Sequence, residues 1–398
     1  MSAGKMAALR DLVEPAQMWN PARSAPGEAF LYIDLSAVDQ ESKQVVGPRE
    51  MPCIEAPSRA RQLVAESDVL VSTVRPNLNA VARIPEELDG ATASTGFCVL
   101  RALPTLLDPG YLFHWVKSPE FVEDMIRKAT GASYPAVSDR IVFDSLLPLP
   151  SVAEQQRIAE VLDRAEALRA KRRAALAQLD TLTQAIFLEL FGDPVTNPKG
   201  WPDSKLLGEV TEIVSGVTKG RALDGKKTRT VPYLAVVNVQ DRALNLSTVK
   251  TIEATEEEIR RYRLQADDLL LTEGGDPDKL GRGTLWKNEL PECIHQNHIF
   301  RVRLMTGELD SLFLSWLVGS RRGKRYFLQA AKQTTGIASI NMKQLRGFPL
   351  LLPPVKLQQT FARRVAAVEK LKATHRASLA EMDALFASLQ HRAFRGEL

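Results

Sequence analysis

Two stretches decide how this chain is read: residues 147–163, "LPLPSVAEQQRIAEVLD", and residues 350–359, "LLLPPVKLQQ". In each, an apolar, proline-bearing run turns into Gln-Gln and then into helix-forming sequence. Val152 matches Val355, an offset of 203, and holding that offset without a gap from Pro150 to Phe191 gives 15 identities in 42 columns. Composition alone would give about 4 or 5. The identities include Gln155/Gln358, Gln156/Gln359, Leu168/Leu371, Arg173/Arg376, Leu176/Leu379, Asp180/Asp383 and Phe191/Phe394. Ile158/Phe361, Leu162/Val365, Leu179/Met382 and Ile186/Leu389 add conservative pairs. The chain therefore carries an internal duplication.

Both copies predict long helices. Proline precedes each start, and the interiors are rich in Ala, Leu, Glu, Gln, Lys and Arg. Apolar residues recur at mixed three- and four-residue spacing, which predicts a packing seam of Leu162, Leu168, Leu179, Leu182 and Ile186 in one helix. The other helix would contribute Val365, Leu371, Met382, Leu385 and Leu389. Arg172 and His375 interrupt the two seams at equivalent places. A helix from Val152 to Leu190 would be about 58 Å long, more than one small domain can bury. Two such helices packed antiparallel as a coiled coil would cover each other.

The segments before the helices resemble one another in layout. "FLYIDLSAVD" (30–39) parallels "VPYLAVVNVQ" (231–240), and "ESDVLVSTVRPNLNAVARIP" (66–85) parallels "ADDLLLTEGGDPDKLGRGTLW" (266–286). "TGFCVLRAL" (95–103) parallels "NHIFRVRLM" (297–305). Each half continues with a helical segment, a Gly-containing polar loop (130–140 and 334–344) and a last apolar strand. The expected fold class is α/β (α+β): two similar globular domains, each followed by a long helix. The expected bounds are 1–149, helix 150–191, linker 192–202, 203–352 and helix 353–398, the linker being dense in Pro, Gly and Asn.

At 398 residues the chain can hold two or three cores, and 44% apolar with 25% charged residues is ordinary for a globular protein. A net charge of +4 means that a polyanion would be met by local patches rather than by the overall field. Cys53, Cys98 and Cys293 are odd in number and scattered, as in reduced cytoplasmic proteins. The first residues lack an apolar signal core, and no apolar run is long enough for a membrane span.

Catalytic patterns are thin. The sequence has no phosphate-binding Gly-rich loop, no Asn/Asp-Pro-Pro-Tyr and no Gly-x-Ser-x-Gly. Glu41-x-Lys43 with Asp34 and Asp39 is too short a pattern to mark a nuclease, and Cys293, His295 and His298 lack a partner cluster for a structural metal. No catalytic residue and no metal ligand is assigned. Polar loops say more. Residues 218–229 carry Lys219, Arg221, Lys226, Lys227 and Arg229, while 75–83 carry Arg75, Asn77, Asn79 and Arg83. Residues 274–283 carry Asp276, Lys279 and Arg282, and the loop 334–344 carries Asn341 and Lys343. Arg and Lys bind phosphate or the guanine edge, Asn binds adenine, and Asp accepts from cytosine, so these loops suit double-stranded DNA.

The repeated Pro-to-Gln-Gln entries, the boundary "FGDPVTNPKGW" (191–201) and the terminal "AFRGEL" (393–398) resemble the specificity subunit of type I restriction–modification systems across the whole chain. That resemblance implies two target-recognition domains, each reading one half of a bipartite, asymmetric DNA site, with pseudo-two-fold symmetry. It implies spacer helices that set the distance between half-sites. It also implies a non-catalytic chain that binds no cofactor and is joined by two methylation subunits and by restriction subunits. S-adenosylmethionine, ATP and magnesium would belong to those partners, and no membrane is involved. The family has no universal base-reading motif to transfer, and the early loop 17–29 of the first domain is less basic than 218–229. The competing readings are a self-sufficient DNA-modifying nuclease or methyltransferase and a coiled-coil adaptor without DNA binding.

Overall fold

The computed structural model describes residues 6–25, 27–223, 225–276, 280–334 and 337–398, with side chains described outside 332–334 and 337. The chain divides into two compact units: residues 1–176 with 374–398, and residues 177–373. The two long helices run Val152–Phe191 and Val355–Phe394, and each is shared between the units.

The first unit is built on a four-stranded antiparallel sheet in the order Val81–Arg83, Val69–Ser72, Phe97–Ala102, Val13–Pro15. Val69 to Ser72 are all buried, as expected of a β-branched and aliphatic strand covered on both faces. A five-stranded sheet lies alongside in sequence: Gln17–Met18, Ala60–Leu63, Thr92–Ser94, Ala29–Ile33, Arg49–Pro52. The helix Pro109–Val116, capped by Asp108, packs Tyr111 and Leu112 into a core shared with Val71, Leu100, Ile158, Leu162, Phe386 and Phe394.

The second unit repeats the four-stranded order with Gly283–Leu285, Leu269–Thr272, Ile299–Leu304 and Thr211–Ser215. Its helix Ser311–Val318 is capped by Asp310, and its core joins Leu269, Leu271, Phe300, Phe313 and Leu317 to Phe187, Phe191, Phe361 and Val365. The acidic turn before the hairpin has the same role in both units. Asp68 receives Arg101 through two bonds of 2.9 and 2.7 Å, and Asp268 receives Arg303 through two of 2.7 Å. Both carboxylates are 1% exposed, so each is a buried charge satisfied by a bidentate guanidinium.

Within each unit the two helix segments run antiparallel, but the seam differs from the one expected from spacing. Leu162, Ile186 and Val365 are buried, and Leu179, Met382 and Leu389 are half-buried. Leu168, Leu182, Leu371 and Leu385 are instead 55%, 43%, 46% and 58% exposed. In the first unit the helix–helix contact is polar at mid-length: Arg169 bonds Asp383 at 2.6 Å and lies 4.3 Å from the Phe386 ring. The two seam interruptions meet there, Arg172 donating to His375 Nδ1 at 3.0 Å. In the second unit Lys372 holds Asp180 at 2.8 Å. A heptad pattern drifts about 20° per repeat on a straight helix, and each helix also packs into the cores of the units that share it. The buried stripe therefore rotates away from the four leucines.

Candidate nucleic-acid interface

The duplicated glutamines have a defined place. Gln155 is fully buried; its Oε1 accepts from the Asp108 N–H at 2.9 Å, and its Nε2 donates to the Leu106 and Pro150 carbonyls at 3.1 and 2.9 Å. Gln358 repeats this with the Asp310 N–H at 2.8 Å and the Glu308 and Pro353 carbonyls at 3.1 and 2.8 Å. Each glutamine joins the start of a long helix to the loop that caps the preceding domain helix. Gln156 and Gln359 are exposed.

In the first unit, loop 75–79 is a one-turn helix, Pro76–Leu78, flanked by Arg75 and Asn79, both with left-handed backbones (φ 51° and 47°). Arg75 and Asn77 are exposed. Asn79 is half-buried and faces inward: its Nδ2 donates to the Lys117 carbonyl at 3.3 Å, and its own carbonyl accepts from Lys43 Nζ at 2.5 Å. Asn79 thus shapes the loop that presents Arg75. Arg83 lies at the other end of the strand hairpin, paired in register with Val69. It lines a cavity of about 940 Å³ beside the first long helix, with Lys43, Phe113, Asp163, Glu166 and Arg173.

In the second unit, Lys219, Lys226 and Lys227 are exposed and make no ion pair among the described residues. Arg221 and Arg229 are already engaged. Arg221 grips Glu258 with two bonds and donates to the Glu253 carbonyl at 2.9 Å; its guanidinium holds the Glu258 carboxyl down to about 2. Arg229 bridges Glu256 at 2.5 Å and Glu292 at 2.6 Å, which raises its own pKa and lowers that of Glu292. Arg282 is half-buried, turned toward Gln240 Oε1 at 3.3 Å. Asp276 is exposed, and Lys279 lies outside the described residues. Asn341 caps the short helix Met342–Arg346 by accepting from the Gln344 N–H at 2.9 Å, and Lys343 is exposed.

Sequence reasoning missed the acids that neutralise Arg221 and Arg229, because they arrive from distant positions: Glu256 and Glu258 from the helix Glu256–Tyr262, and Glu292 from the loop before the strand Ile294–His295. It also missed Tyr134, 69% exposed in the loop 130–140, with the Arg75 guanidinium 4.5 Å from its ring centre. An aromatic at the tip of a Gly- and Ser-containing loop was the available signal. His295 is fully buried against the Tyr262 and Val214 carbonyls, and burial pushes its pKa down to about 4. No group of three or more His, Cys, Asp or Glu side chains is placed to hold a metal among the described residues. No described helix is long and apolar enough to cross a membrane.

Two units of one design are thus joined to long helices by the same glutamine contact and carry different loops. Residues 198–382 match the family model for the type I restriction modification DNA specificity domain. The chain is 24% identical over 355 residues to the StySPI specificity subunit of Salmonella potsdam, and 25% identical over 357 residues to the EcoKI specificity subunit of Escherichia coli K12. Each alignment spans 85% of this chain and 76% of the relative. A solved chain described as the structural basis of complex assembly and conformational transition of the type I R-M system superposes with TM-score 0.65 at 25% identity, covering 100% of this chain and 99% of that one. The S subunit of a type I system from M. genitalium, at 14% identity and TM-score 0.56, shares the fold. The chain is thus similar, in sequence and in fold, to the specificity subunits of type I restriction–modification systems.

Proposed function

We propose that each unit reads one half of a bipartite, asymmetric DNA site, and that the long helices set the spacing and dock two methylation subunits. The observation that carries this reading is the same sheet order, Asp–Arg clasp and glutamine contact in both units beneath loops of different composition. A shared frame with divergent loops suits two different half-sites on one rigid spacing. Arg75 and Asn77 in the first unit, and Lys219, Lys226 and Lys227 in the second, are the exposed groups suited to base edges and phosphates. The exposed leucines support docking: the first unit presents Leu168 and Leu385, the second Leu182 and Leu371, and all four are identical across the duplication. Apolar residues kept at matched exposed positions suit two equal copies of one partner. The chemistry, with S-adenosylmethionine, ATP and magnesium, belongs in this reading to the methylation and restriction subunits, in the cytoplasm.

The test is selection from a random duplex library by the full chain assembled with its methylation subunits. Two fixed half-sites with a constant unspecified spacer are expected. One heptad inserted into each long helix adds about 10 Å and should lengthen the spacer without altering either half-site. An unchanged spacer would remove the ruler role, and recovery of a single contiguous site would remove the bipartite reading.

A further inference from the structure

The hairpin spanning Thr130 to Ala136 in the first unit is tied to the loop that presents Arg75. Val74 bridges Ala136, the Arg75 N–H donates to the Pro135 carbonyl at 2.7 Å, and the Val137 N–H donates to the Thr73 carbonyl at 2.9 Å. Thr130 and Ala136 close the hairpin with paired backbone bonds of 2.9 Å. Gly131 makes the turn at φ +102°, where an added Cβ would sit 2.9 Å from the Tyr134 carbonyl oxygen. The platform is therefore fixed by backbone bonds, and it presents Tyr134 beneath the Arg75 guanidinium at 4.5 Å.

Arg75 makes no hydrogen bond or ion pair through its guanidinium among the described residues, whereas Arg10, Arg49 and Arg101 of the same unit are all paired with carboxylates. Its left-handed backbone, uncommon for a residue with a long side chain, is held by the anchored loop. A guanidinium lying on a ring keeps its fork free and loses less freedom when it bonds a planar, two-acceptor edge.

The second unit has the same element with other chemistry. Gly274 pairs Ser339 and Gly275 pairs Ala338, so Gly275 occupies the place of Arg75 and Ile337 that of Tyr134. The backbone pairing is kept and the residues at these two places are exchanged, as a sequence-reading element requires when two half-sites differ.

We infer that Arg75 reads a guanine through its O6 and N7 atoms in the major groove of the first unit's half-site, with Tyr134 as the positioning residue that holds the guanidinium flat. This rests on the DNA-reading function proposed above. Arg is the side chain whose fork matches the two guanine acceptors.

The test is duplex-library selection by the full chain with its methylation subunits, comparing wild type with Arg75→Lys, Arg75→Ala, Tyr134→Ala and Tyr134→Phe. Both residues are exposed, and unchanged melting curves confirm that each variant folds. Wild type should select guanine at one position of one half-site. Arg75→Ala and Tyr134→Ala should reduce preference at that position on the order of ten-fold, while the other half-site stays intact. Arg75→Lys should lose the preference yet keep the salt dependence of binding, and Tyr134→Phe should restore the wild-type choice. Variants that select the wild-type site with all its bases overturn the inference, as does a uniform loss of affinity with base preferences unchanged, which would mark a phosphate contact. A wild-type assembly that selects no duplex overturns the proposed function itself, which separates the two failures.

Discussion

The two units meet their long helices at equivalent places through opposite chemistry. In the first, His114 Nε2 donates to Asp163 at 2.7 Å, and Lys117 meets Glu166 at 2.5 Å. In the second, Trp316 stands where His114 does relative to the capping aspartate, and it packs 5.6 Å from Phe361 and 5.9 Å from Phe187. One aromatic contact is common to both: Tyr111 with Phe394 at 5.3 Å, and Phe313 with Phe191 at 4.6 Å. The positions are inherited and the chemistry has moved. Aromatic rings contribute buried area directly, whereas a buried polar pair must first offset its own desolvation. Burial holds the His114 pKa below its usual value against the pull of Asp163, so the neutral ring donates from Nε2 and leaves Nδ1 buried without a partner among the described residues. The first junction therefore specifies geometry, and the second supplies stability.

The largest effect expected from this contrast lies in the aromatic junction. Phe361 is fully buried and touches Phe187, Phe191 and Trp316. Phe361→Ala should cost about 4 kcal/mol, read as loss of hydrogen-exchange protection in the second unit. Ile158→Ala, the matching change in the first unit, should cost about 3 kcal/mol. If Ile158→Ala proves the more damaging, the second junction is not the apolar anchor.

The glutamine contact is the part of the comparison that should not differ. Gln155→Ala and Gln358→Ala each remove three buried bonds and strand an N–H and two carbonyls. Each should cost about 3 kcal/mol. Gln156→Ala and Gln359→Ala, at exposed positions, should stay within about 0.5 kcal/mol in urea unfolding. A clear inequality between the two buried glutamines would show that the units are not equivalent at this point.

That equality explains what could be read from the amino-acid order. The glutamine entries were visible because both copies keep one task, and the helices followed from proline, composition and duplication. The Asp68–Arg101 and Asp268–Arg303 clasps join residues 33 and 35 apart and emerge once strands are paired. The acids that occupy Arg221 and Arg229 lie 37, 27 and 63 residues away, so a loop that looks strongly basic in order is partly neutralised in space. The leucine seam misled for another reason. Heptad spacing records which residues share a stripe, and here that stripe includes four leucines left outside the packed face.

Acid should act on both units through buried histidines, most strongly on the second. His295 faces only carbonyls across its two ring nitrogens, and its folded pKa of about 4 lies below the ordinary 6.5. As pH falls, the unfolded chain binds the proton first, so stability is lost between pH 6.5 and 4, by up to about 3 kcal/mol. His114 shifts in the same direction, opposed by Asp163, so the first unit should lose less. Unfolding followed at a series of pH values, with His114→Leu and His295→Leu as separate probes, assigns each slope. A slope unaffected by His295→Leu would place the acid sensitivity elsewhere.

The smallest effect tests whether the polar junction is a geometric device. Lys117 is 5% exposed at its side chain, lies 4.0 Å from the Phe113 ring and has a depressed pKa from burial; Glu166, 30% exposed, is its carboxylate partner. Glu166→Ala leaves that ammonium buried beside Asp163 and Arg169 alone, at a cost of about 2 kcal/mol given the partial exposure of the lost partner. Lys117→Met with Glu166→Ala removes both charges and keeps the stem volume, so it should recover most of that loss. The second unit already has Gly319 at the place of Lys117, while Glu369 pairs along its own helix with Lys372 at 2.7 Å. If the double variant restores stability but shifts the first unit's half-site position relative to the spacer, the ion pair sets the angle at which the domain meets its helix. If it restores stability and leaves the selected site unchanged, the glutamine contact and the shared aromatic pair alone fix that angle in both units.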